Sequence, residues 1–366
     1  MQDFKITQNS FFMNTFDVGI LGATGAVGQK FVRLLESHPW FKVRALGASS
    51  RSAGRPYSES VHWIEPTALP EGAAGITVTE CNPEHFSDVD FVFSGLDSSV
   101  ALEIERDFAE SGIPVISNAK NYRMAESVPL LVPEVNPDHI KLIEHQSFTD
   151  DGSGWIVTNP NCVCIPLAMS LRPFYDAFGI DAVILTSLQA TSGAGYPGVA
   201  SLDILGNVVP YIGGEEDKMH REPHKLLGTF DEKAHRIRLA DFPVQATTTR
   251  VPTIEGHLLS VSLKLHDTPK DISAVEKALK NWKNPIGDLD LPSSPSEPIH
   301  LYKENRFPQP RLHADRENGM QMGIGRLRSD AVFDVSYVAM AHNTIRGAAG
   351  GAVLNAELLA EKGYLL

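Results

Sequence analysis

The chain has 366 residues, enough for about two domains at roughly 150 residues each. Apolar residues make up 42% of it, with 29 Gly and 24 Pro, a composition that buries full cores and excludes a disordered or fibrous protein. The net charge is −13 with no Lys/Arg run, so the chain repels phosphate backbones and no nucleic-acid partner is expected. No apolar stretch approaches about 18 residues, so no membrane span is expected. Residues 1 to 16 lack the apolar centre of a signal peptide, and residues 1 to 12 read as a dispensable extension. Cys81, Cys162 and Cys164 are too few for a disulfide framework and fit a reducing, cytoplasmic compartment.

In chain order, Phe16 to Leu21 reads as a short buried strand. A glycine-rich turn, Gly22 to Gly28, follows, then a helical stripe carrying Phe31, Val32, Leu34 and Leu35. Further short strands are expected at Lys42 to Ala48, Asp90 to Ser94, Pro114 to Ser117 and Trp155 to Thr158. Strands alternating with helical segments imply βαβ units and a parallel sheet. After Asn159 the texture changes. Asp181 to Ala190 is a longer strand, and His257 to Leu265 alternates polar and apolar residues as a sheet with one covered face does. Met320 to Arg328 and Ala331 to Ala341 read similarly, Asp271 to Trp282 is an amphipathic helix, and Gly347 to Leu359 is a closing Ala/Leu helix. The expected fold is α/β: a Rossmann-like nucleotide-binding domain plus an α+β domain with a mixed sheet.

A strand, a tight glycine turn and a helix N-terminus form an anion site, because glycine lets backbone N–H groups approach a pyrophosphate and the helix dipole favours negative charge. The spacing here is Gly22-x-x-Gly25-x-x-Gly28. The end of the second strand discriminates the cofactor, since an acid there suits the ribose hydroxyl of NAD, while a cation and hydroxyls suit the extra phosphate of NADP. Ser49, Arg51 and Ser52 lie there with no acid, so NADP is expected.

Cys162 follows a strand in Asn159-Pro160-Asn161-Cys162-Val163-Cys164. A helix beginning at Cys162 would lower the thiol pKa through its dipole. Cys164 reads as a core thiol, and no Cys/His cluster of zinc spacing accompanies the pair, so no metal is expected. A nucleotide turn combined with a cysteine at a strand-to-helix junction points to thiol-dependent aldehyde chemistry, in which a thiolate adds to a carbonyl and hydride passes to nicotinamide.

The chain resembles the aspartate-β-semialdehyde dehydrogenases, in their archaeal and fungal branch. The resemblance rests on LGATGAVGQKF (21 to 31), SSRSAGR (49 to 55), SNAKNYRM (117 to 124), PNCVC (160 to 164), LQATSGAGYPG (188 to 198), GNVVPYIGGEEDK (206 to 218), TTRVPTIEGH (248 to 257), PQPRL (308 to 312) and HNTIRGAAGGAVLNAELL (342 to 359). It implies Cys162 as the nucleophile that becomes an acyl-thioester, His257 as its acid/base imidazole and Gln189 as the residue orienting the intermediate. It implies Arg250 for the substrate α-carboxylate, Glu215 for the ammonium, and Lys218 and Arg123 for the phosphate, with Asn161 as a further substrate-binding residue. The NADP contacts implied are Gly22, Thr24, Gly25, Ala26, Val27, Ser49, Arg51, Ser52, Ser192, Gly193 and Asn343. Whether Glu215 or Glu216 meets substrate stays open. Residues 1–157 with 344–366 would form the NADP-binding domain and 158–343 the catalytic and dimerisation domain, in a homodimer or homotetramer.

The implied reaction is reversible, NADP-dependent reductive dephosphorylation of β-aspartyl phosphate to aspartate semialdehyde, within the biosynthesis of lysine, threonine, methionine and isoleucine. Backbone N–H groups near Cys162 are expected to hold the developing oxyanion. The alternatives on the same scaffold are malonyl-CoA reductase and N-acetylglutamyl-phosphate reductase. An idle NADP-binding sensor is the alternative from another class.

Overall fold

The computed structural model describes residues 15–365; the expectation for residues 1–12 concerns a segment outside them. Six parallel strands build the first sheet: β1 (Phe16–Leu21), β2 (Phe41–Ala48), β3 (Val78–Glu80), β4 (Phe91–Ser94), β5 (Val115–Ser117) and β6 (Ile156–Thr158). Their order is β3-β2-β1-β4-β5-β6, the doubly wound arrangement in which ligands bind beyond the carboxyl ends of the strands. The central strands carry buried apolar runs: Val18, Ile20, Leu21, Phe91, Val92 and Phe93 are all 0% exposed. Unbroken apolar runs are what helices on both faces of a parallel sheet require.

Helix α1 (Ala26–Leu35) begins one residue after Gly25 and buries Phe31, Val32 and Leu35 against this sheet. Its approach depends on Gly28, where a Cβ would stand 2.2 Å from the Gly22 carbonyl oxygen. Helix α2 (Ser98–Glu110) is capped by Asp97, whose side chain accepts the Ser99 N–H.

The second sheet is mixed. Its strands are β7 (Ile180–Gln189), β10 (Val244–Arg250), β11 (His257–Leu265), β12 (Ile299–Leu301), β13 (Met322–Ser329) and β14 (Val335–Ala341), ordered β10-β7-β11-β14-β13-β12. A separate hairpin pairs β8 (Thr229–Asp231) with β9 (Arg236–Arg238). Along β11, Leu259, Val261, Leu263 and Leu265 are buried while Ser260 and Lys264 are exposed, the alternation expected of a sheet covered on one face. Helices α3 (Cys164–Phe178) and α5 (Ile272–Asn281) supply that cover, contributing Leu167, Leu171, Val275 and Leu279 to a shared core.

The β13–β14 hairpin turns later than its apolar residues suggest. The second strand starts at Val335, not Ala331, because Asp330 Oδ1 accepts the N–H groups of Val332 and Phe333 and closes the turn first. Strands β3, β10 and β12 were not legible in the sequence: each is an edge strand, two have three residues, and β10 (VQATTTR) is largely polar.

The closing helix, α6 (Gly350–Glu361), is mostly apolar and is buried on every side, Asn355 and Glu357 included. Val353, Leu354, Leu358 and Leu359 share one core with Phe31, Phe93 and Ile116 of the first sheet. It is preceded by a π-turn at Ile345–Ala349 rather than continuing the expected helix from Gly347. At Gly347 a Cβ would stand 2.9 Å from the Cys162 Cβ, so this turn is what brings the C-terminal segment against the thiol. The remaining long helix, α4 (Glu215–Leu226), packs beside α3 and β10.

Candidate active site

Three strand ends of the mixed sheet meet at one edge. Gln189 ends β7, Arg250 ends β10 directly opposite it, and His257 begins the antiparallel β11. The carboxyl ends of the parallel sheet face this edge with Cys162, just after β6, and the glycine turn, just after β1. Between them lies a cavity of about 770 Å³ lined by Cys162, Asn161, Gln189, Arg123, Glu215, Lys218, Ala26, Val27, Ser192, Gly193 and Asn343, among others.

Cys162 Sγ lies 3.3 Å from His257 Nε2. The other ring nitrogen, Nδ1, accepts the Ala190 backbone N–H at 3.0 Å. His257 is fully buried. Burial, helped by the Arg250 guanidinium and His342, holds its pKa down at about 3, so the ring is neutral.

The expectation of a dipole-activated thiolate is corrected here. The helix begins at Cys164, with Val163 as its N-cap, so Cys162 lies in the preceding turn, outside the first helical residues. Burial pushes its thiol up to about 12, with Glu215 adding to the rise and Lys218, Arg123 and Arg250 opposing it. The side chain is nonetheless only half-buried and open to the cavity. The resting pair is therefore thiol and neutral imidazole. Cys164 is a buried core thiol against Met219, and burial raises its pKa well above the usual range.

The expected backbone oxyanion donors are also corrected in part. Asn161 N–H donates to Glu222 Oε2 at 2.7 Å, and Val163 N–H donates to Asn161 Oδ1 at 2.9 Å. Both are consumed by the protein.

Helix α4 presents Glu215, Lys218, Glu222 and Lys225 along one face, spaced by three and four residues. Lys218 pairs with Glu215, and Asn161 Nδ2 donates to Glu215 Oε2 at 3.0 Å. Glu216 instead accepts the Thr248 N–H at 3.1 Å, so of the two acids only Glu215 borders the cavity. Glu222 bonds Arg123 Nη1 at 2.9 Å, and Arg123 Nη2 donates to the Asn118 carbonyl at 2.8 Å. Lys225 donates to the carbonyls of Arg123, Ala125 and Val128 at 2.7–2.8 Å, and burial lowers its pKa to about 8. Sequence reasoning found Glu215 and Lys218 but missed Glu222 and Lys225. The signal was present: the E-x-x-K spacing repeats seven residues later on the same helical face.

Arg250 is buried behind the cavity wall, with Nη1 donating to the Ala190 carbonyl at 2.8 Å. A Cβ on Gly193 would stand 2.9 Å from that nitrogen and 3.2 Å from His257 Nε2, so only glycine allows this loop to close over the imidazole. Asn343 Nδ2 donates to Ser192 Oγ, which donates to Glu255 Oε2, both at 2.7 Å. Glu255 and Glu65 line the same wall, where Lys30 pairs with Glu65 at 3.0 Å. None of these three was singled out from the sequence.

The remaining nucleotide residues lie outside this cavity. Gly22 holds a left-handed φ of +77° and, with Thr24 and Gly25, forms the open turn leading into α1. Ser49 and Arg51 are exposed and Ser52 is half-buried, beyond the end of β2. The turn and the strand end are adjacent, since the Ala23 N–H bonds the Gly47 carbonyl. The strand end carrying Arg51 thus lies beside the glycine turn, whose Ala26 and Val27 line the cavity that holds Cys162, and there is no carboxylate among residues 49–55. Among the described residues, no cluster of three or more His, Cys, Asp or Glu is placed to hold a metal.

Comparison with known proteins agrees over nearly the whole chain. Residues 17–143 match the family described as semialdehyde dehydrogenase, NAD binding domain, and residues 171–346 match semialdehyde dehydrogenase, dimerisation domain. The chain is 45% identical to the aspartate-semialdehyde dehydrogenase of Schizosaccharomyces pombe, covering 95% of this chain and 99% of the relative. It is 48% identical to that of Archaeoglobus fulgidus, covering 94% and 98%. The crystal structure of the Candida albicans aspartate semialdehyde dehydrogenase with NADP superposes with a TM-score of 0.88 at 42% identity, covering 96% of this chain and 99% of that one.

Proposed function

Because the chain belongs to the aspartate-semialdehyde dehydrogenase family, we propose that it interconverts β-aspartyl phosphate and aspartate semialdehyde, with NADP, through a thioester on Cys162. The observation that carries the reading is the Cys162–His257 contact at 3.3 Å inside a cavity that also holds Arg123, Lys218 and Glu215. A thiol in contact with an imidazole, beside Arg123, Lys218 and Glu215, matches an acyl phosphate bearing an ammonium group.

In the reductive direction Cys162 attacks the acyl phosphate while His257 attends the sulfur. Arg123 and Lys218 receive the departing phosphate. Arg250 offers a planar fork to the α-carboxylate, Glu215 meets the ammonium, Gln189 orients the bound acyl group, and Asn161 holds Glu215 in place. NADPH, when bound, supplies the hydride that converts the thioester to the aldehyde level. The residues fit that cofactor: a side chain at Gly28 would collide with the turn, and the exposed Ser49 and Arg51 with the half-buried Ser52 would answer a ribose phosphate. Gly22, Thr24, Gly25, Ala26 and Val27 would hold the pyrophosphate, and Ser192, Gly193 and Asn343 would hold the nicotinamide end.

In this reading residues 1–157 with 344–366 bind nucleotide and 158–343 form the catalytic and dimerisation domain. Segment 196–211 exposes Tyr196, Leu202, Leu205, Val208 and Tyr211, each more than half accessible, a patch that supports a homodimer or homotetramer. The enzyme works in the cytoplasm, feeding lysine, threonine, methionine and isoleucine biosynthesis. A malonyl-CoA or N-acetylglutamyl-phosphate reductase is less favoured, because the curated relatives above are aspartate-semialdehyde dehydrogenases. The test follows reduced nicotinamide by absorbance with aspartate semialdehyde, phosphate and NADP. Phosphate-dependent turnover is expected. Turnover with malonyl-CoA and none with aspartate semialdehyde would overturn the reading.

A further inference from the structure

Helix α4 holds Arg123 at both ends. The guanidinium donates to Glu222 Oε1 at 2.9 Å and to the Asn118 carbonyl at 2.8 Å. The Arg123 backbone carbonyl accepts from Lys225 Nζ at 2.8 Å, and the same nitrogen donates to the carbonyls of Ala125 and Val128, each at 2.7 Å. Among the described residues the Arg123 and Val128 carbonyls accept no other bond. Lys225 is 3% exposed, so water does not stand in for it. The three carbonyls belong to the irregular segment 118–129, which follows β5 and carries Arg123 to the cavity wall. Lysine is the side chain this arrangement requires, because an ammonium offers three donors on one compact atom and no acceptor. The three carbonyls use it completely, and only in its protonated form. A neutral amine has two N–H groups and a lone pair, which would leave one carbonyl facing that lone pair.

We propose that Lys225 is a positioning residue for phosphate: its ammonium ties segment 123–128 to helix α4 and so sets the place of the Arg123 guanidinium that meets the phosphate. The inference rests on the acyl-phosphate reading above and adds one residue to it, leaving the covalent steps as they stand. Burial disfavours the ammonium and brings its pKa down to about 8, against Glu222, one turn earlier on α4, which favours it. On the segment that Lys225 binds, Arg123 is engaged by Glu222, and Glu126 pairs with Arg236 at 3.5 Å. His139, on the turn Pro137–His145, is held at about 4 by burial and is neutral. Asp231, Arg236 and Arg238 of the β8–β9 hairpin line an adjoining cavity of about 490 Å³ that Lys225 also borders. The tie is therefore whole below about pH 8 and one bond short above it. Phosphate affinity should weaken on the alkaline side, even though inorganic phosphate itself gains negative charge as pH rises.

The test measures initial rates of the full-length enzyme with aspartate semialdehyde, NADP and inorganic phosphate across neutral and alkaline pH. In the parent, KM for phosphate should rise about threefold or more on passing from neutral to alkaline pH, the scale of one lost hydrogen bond, while KM for aspartate semialdehyde changes less. Lys225→Met keeps the length of the side chain and removes every donor. It should raise KM for phosphate roughly tenfold or more at neutral pH through misplacement of Arg123, with a smaller fall in kcat at saturating phosphate, and it should abolish the alkaline rise. In Lys225→Ala, propylammonium has a way in through the adjoining cavity and should lower KM for phosphate, whereas propanol should not. A lysine that only holds the fold together would change the melting temperature and the active fraction and leave KM for phosphate alone. A parent whose phosphate KM does not rise with pH, or a folded Lys225→Met with the phosphate KM of the parent, overturns the proposal and leaves the reaction assignment standing. Absence of phosphate-dependent turnover in the parent would remove the reaction assignment and the proposal together.

Discussion

The two ends of the nucleotide and substrate path are built on opposite principles. At the thiol end, polar groups are buried and tied to one another: Glu222 holds both Arg123 and the Asn161 amide, Lys225 spends all three protons on the carbonyls of the Arg123 loop, and Ala190 holds both His257 and Arg250. At the Arg51 end, the side chains are exposed and the backbone does the positioning. A buried network of mutually bonded groups fixes geometry at the cost of tolerance, because losing one partner strands another in low dielectric. An exposed turn keeps each side chain independent. The contrast sets the size of the effects expected along the path.

The largest effect belongs to the sulfur. Cys162→Ala should lower turnover by roughly 10³-fold or more, as loss of a covalent nucleophile does, while Cys164→Ala should retain most activity. Peptide mapping after alkylation should find the label on Cys162; a label on Cys164 alone would reverse the assignment. Since burial puts the Cys162 thiol at about 12, the alkylation rate of the free enzyme should still climb with each pH unit at pH 9 to 10. A plateau near neutrality would show an activated thiolate and erase the difference between a buried, neutral thiol end and an open one.

Next comes the network behind the thiol. Glu222→Gln keeps the shape but weakens the hold on Arg123 and the Asn161 amide. Misplacement by about 1 Å costs on the order of 10²-fold in rate, and the loss should fall mainly on the KM for phosphate in the oxidative direction, since Arg123 is the displaced cation. An unchanged phosphate KM would place Glu222 among purely structural residues.

The buried end should also dominate the pH dependence of stability. His139, His257 and His342 are held down at about 4, 3 and 3 by burial, against about 6.5 in an unfolded chain. Between about pH 6.5 and 3 the unfolded state therefore binds protons that the native state refuses, and stability falls as pH falls. Glu105, raised to about 7 by burial, acts in the opposite sense: its contribution is complete below about pH 4.5 and is lost as pH rises to 7. Glu255, which burial also raises, acts in the same sense as Glu105. With three groups against two, the urea midpoint should be lower at pH 4.5 than at pH 7. A midpoint that holds constant or rises on acidification would mean that these histidines are not buried neutral.

These two construction principles also explain what could be read from the sequence. The strands with unbroken apolar runs, the alternating β11, the glycine turn and the Ser49–Arg55 segment were legible because each carries its physical reason within a few consecutive residues. Cys162 was legible as a junction cysteine, yet its helix start and its pKa were not, since burial by Gly347 and His257 involves residues far along the chain. Glu222 and Lys225 look like a solvated helix face in EEDKMHREPHKL; only the docking of the Arg123 loop buries them. Edge strands such as β3 and β10 gain their conformation from a neighbour and show little in their own composition.

The smallest effect is expected at the open end. Arg51 is exposed, and among the described residues its side chain makes no hydrogen bond or ion pair, while its carbonyl accepts from Arg55. Removing it strands no partner, so Arg51→Ala should leave the fold and the thiol chemistry intact. What it removes is one solvent-screened contact to a ribose phosphate, which at an exposed site is worth about 1 kcal/mol, or roughly fivefold in affinity. NAD lacks that phosphate and should bind the variant and the parent alike. The measurement is the ratio of kcat/KM for NADP and NAD in both proteins, taken at low and high salt, because screening should shrink the difference. A loss that is far larger, or shared by both nucleotides, would mean that Arg51 is part of a buried network when cofactor binds, and the two ends of the path would then be built alike.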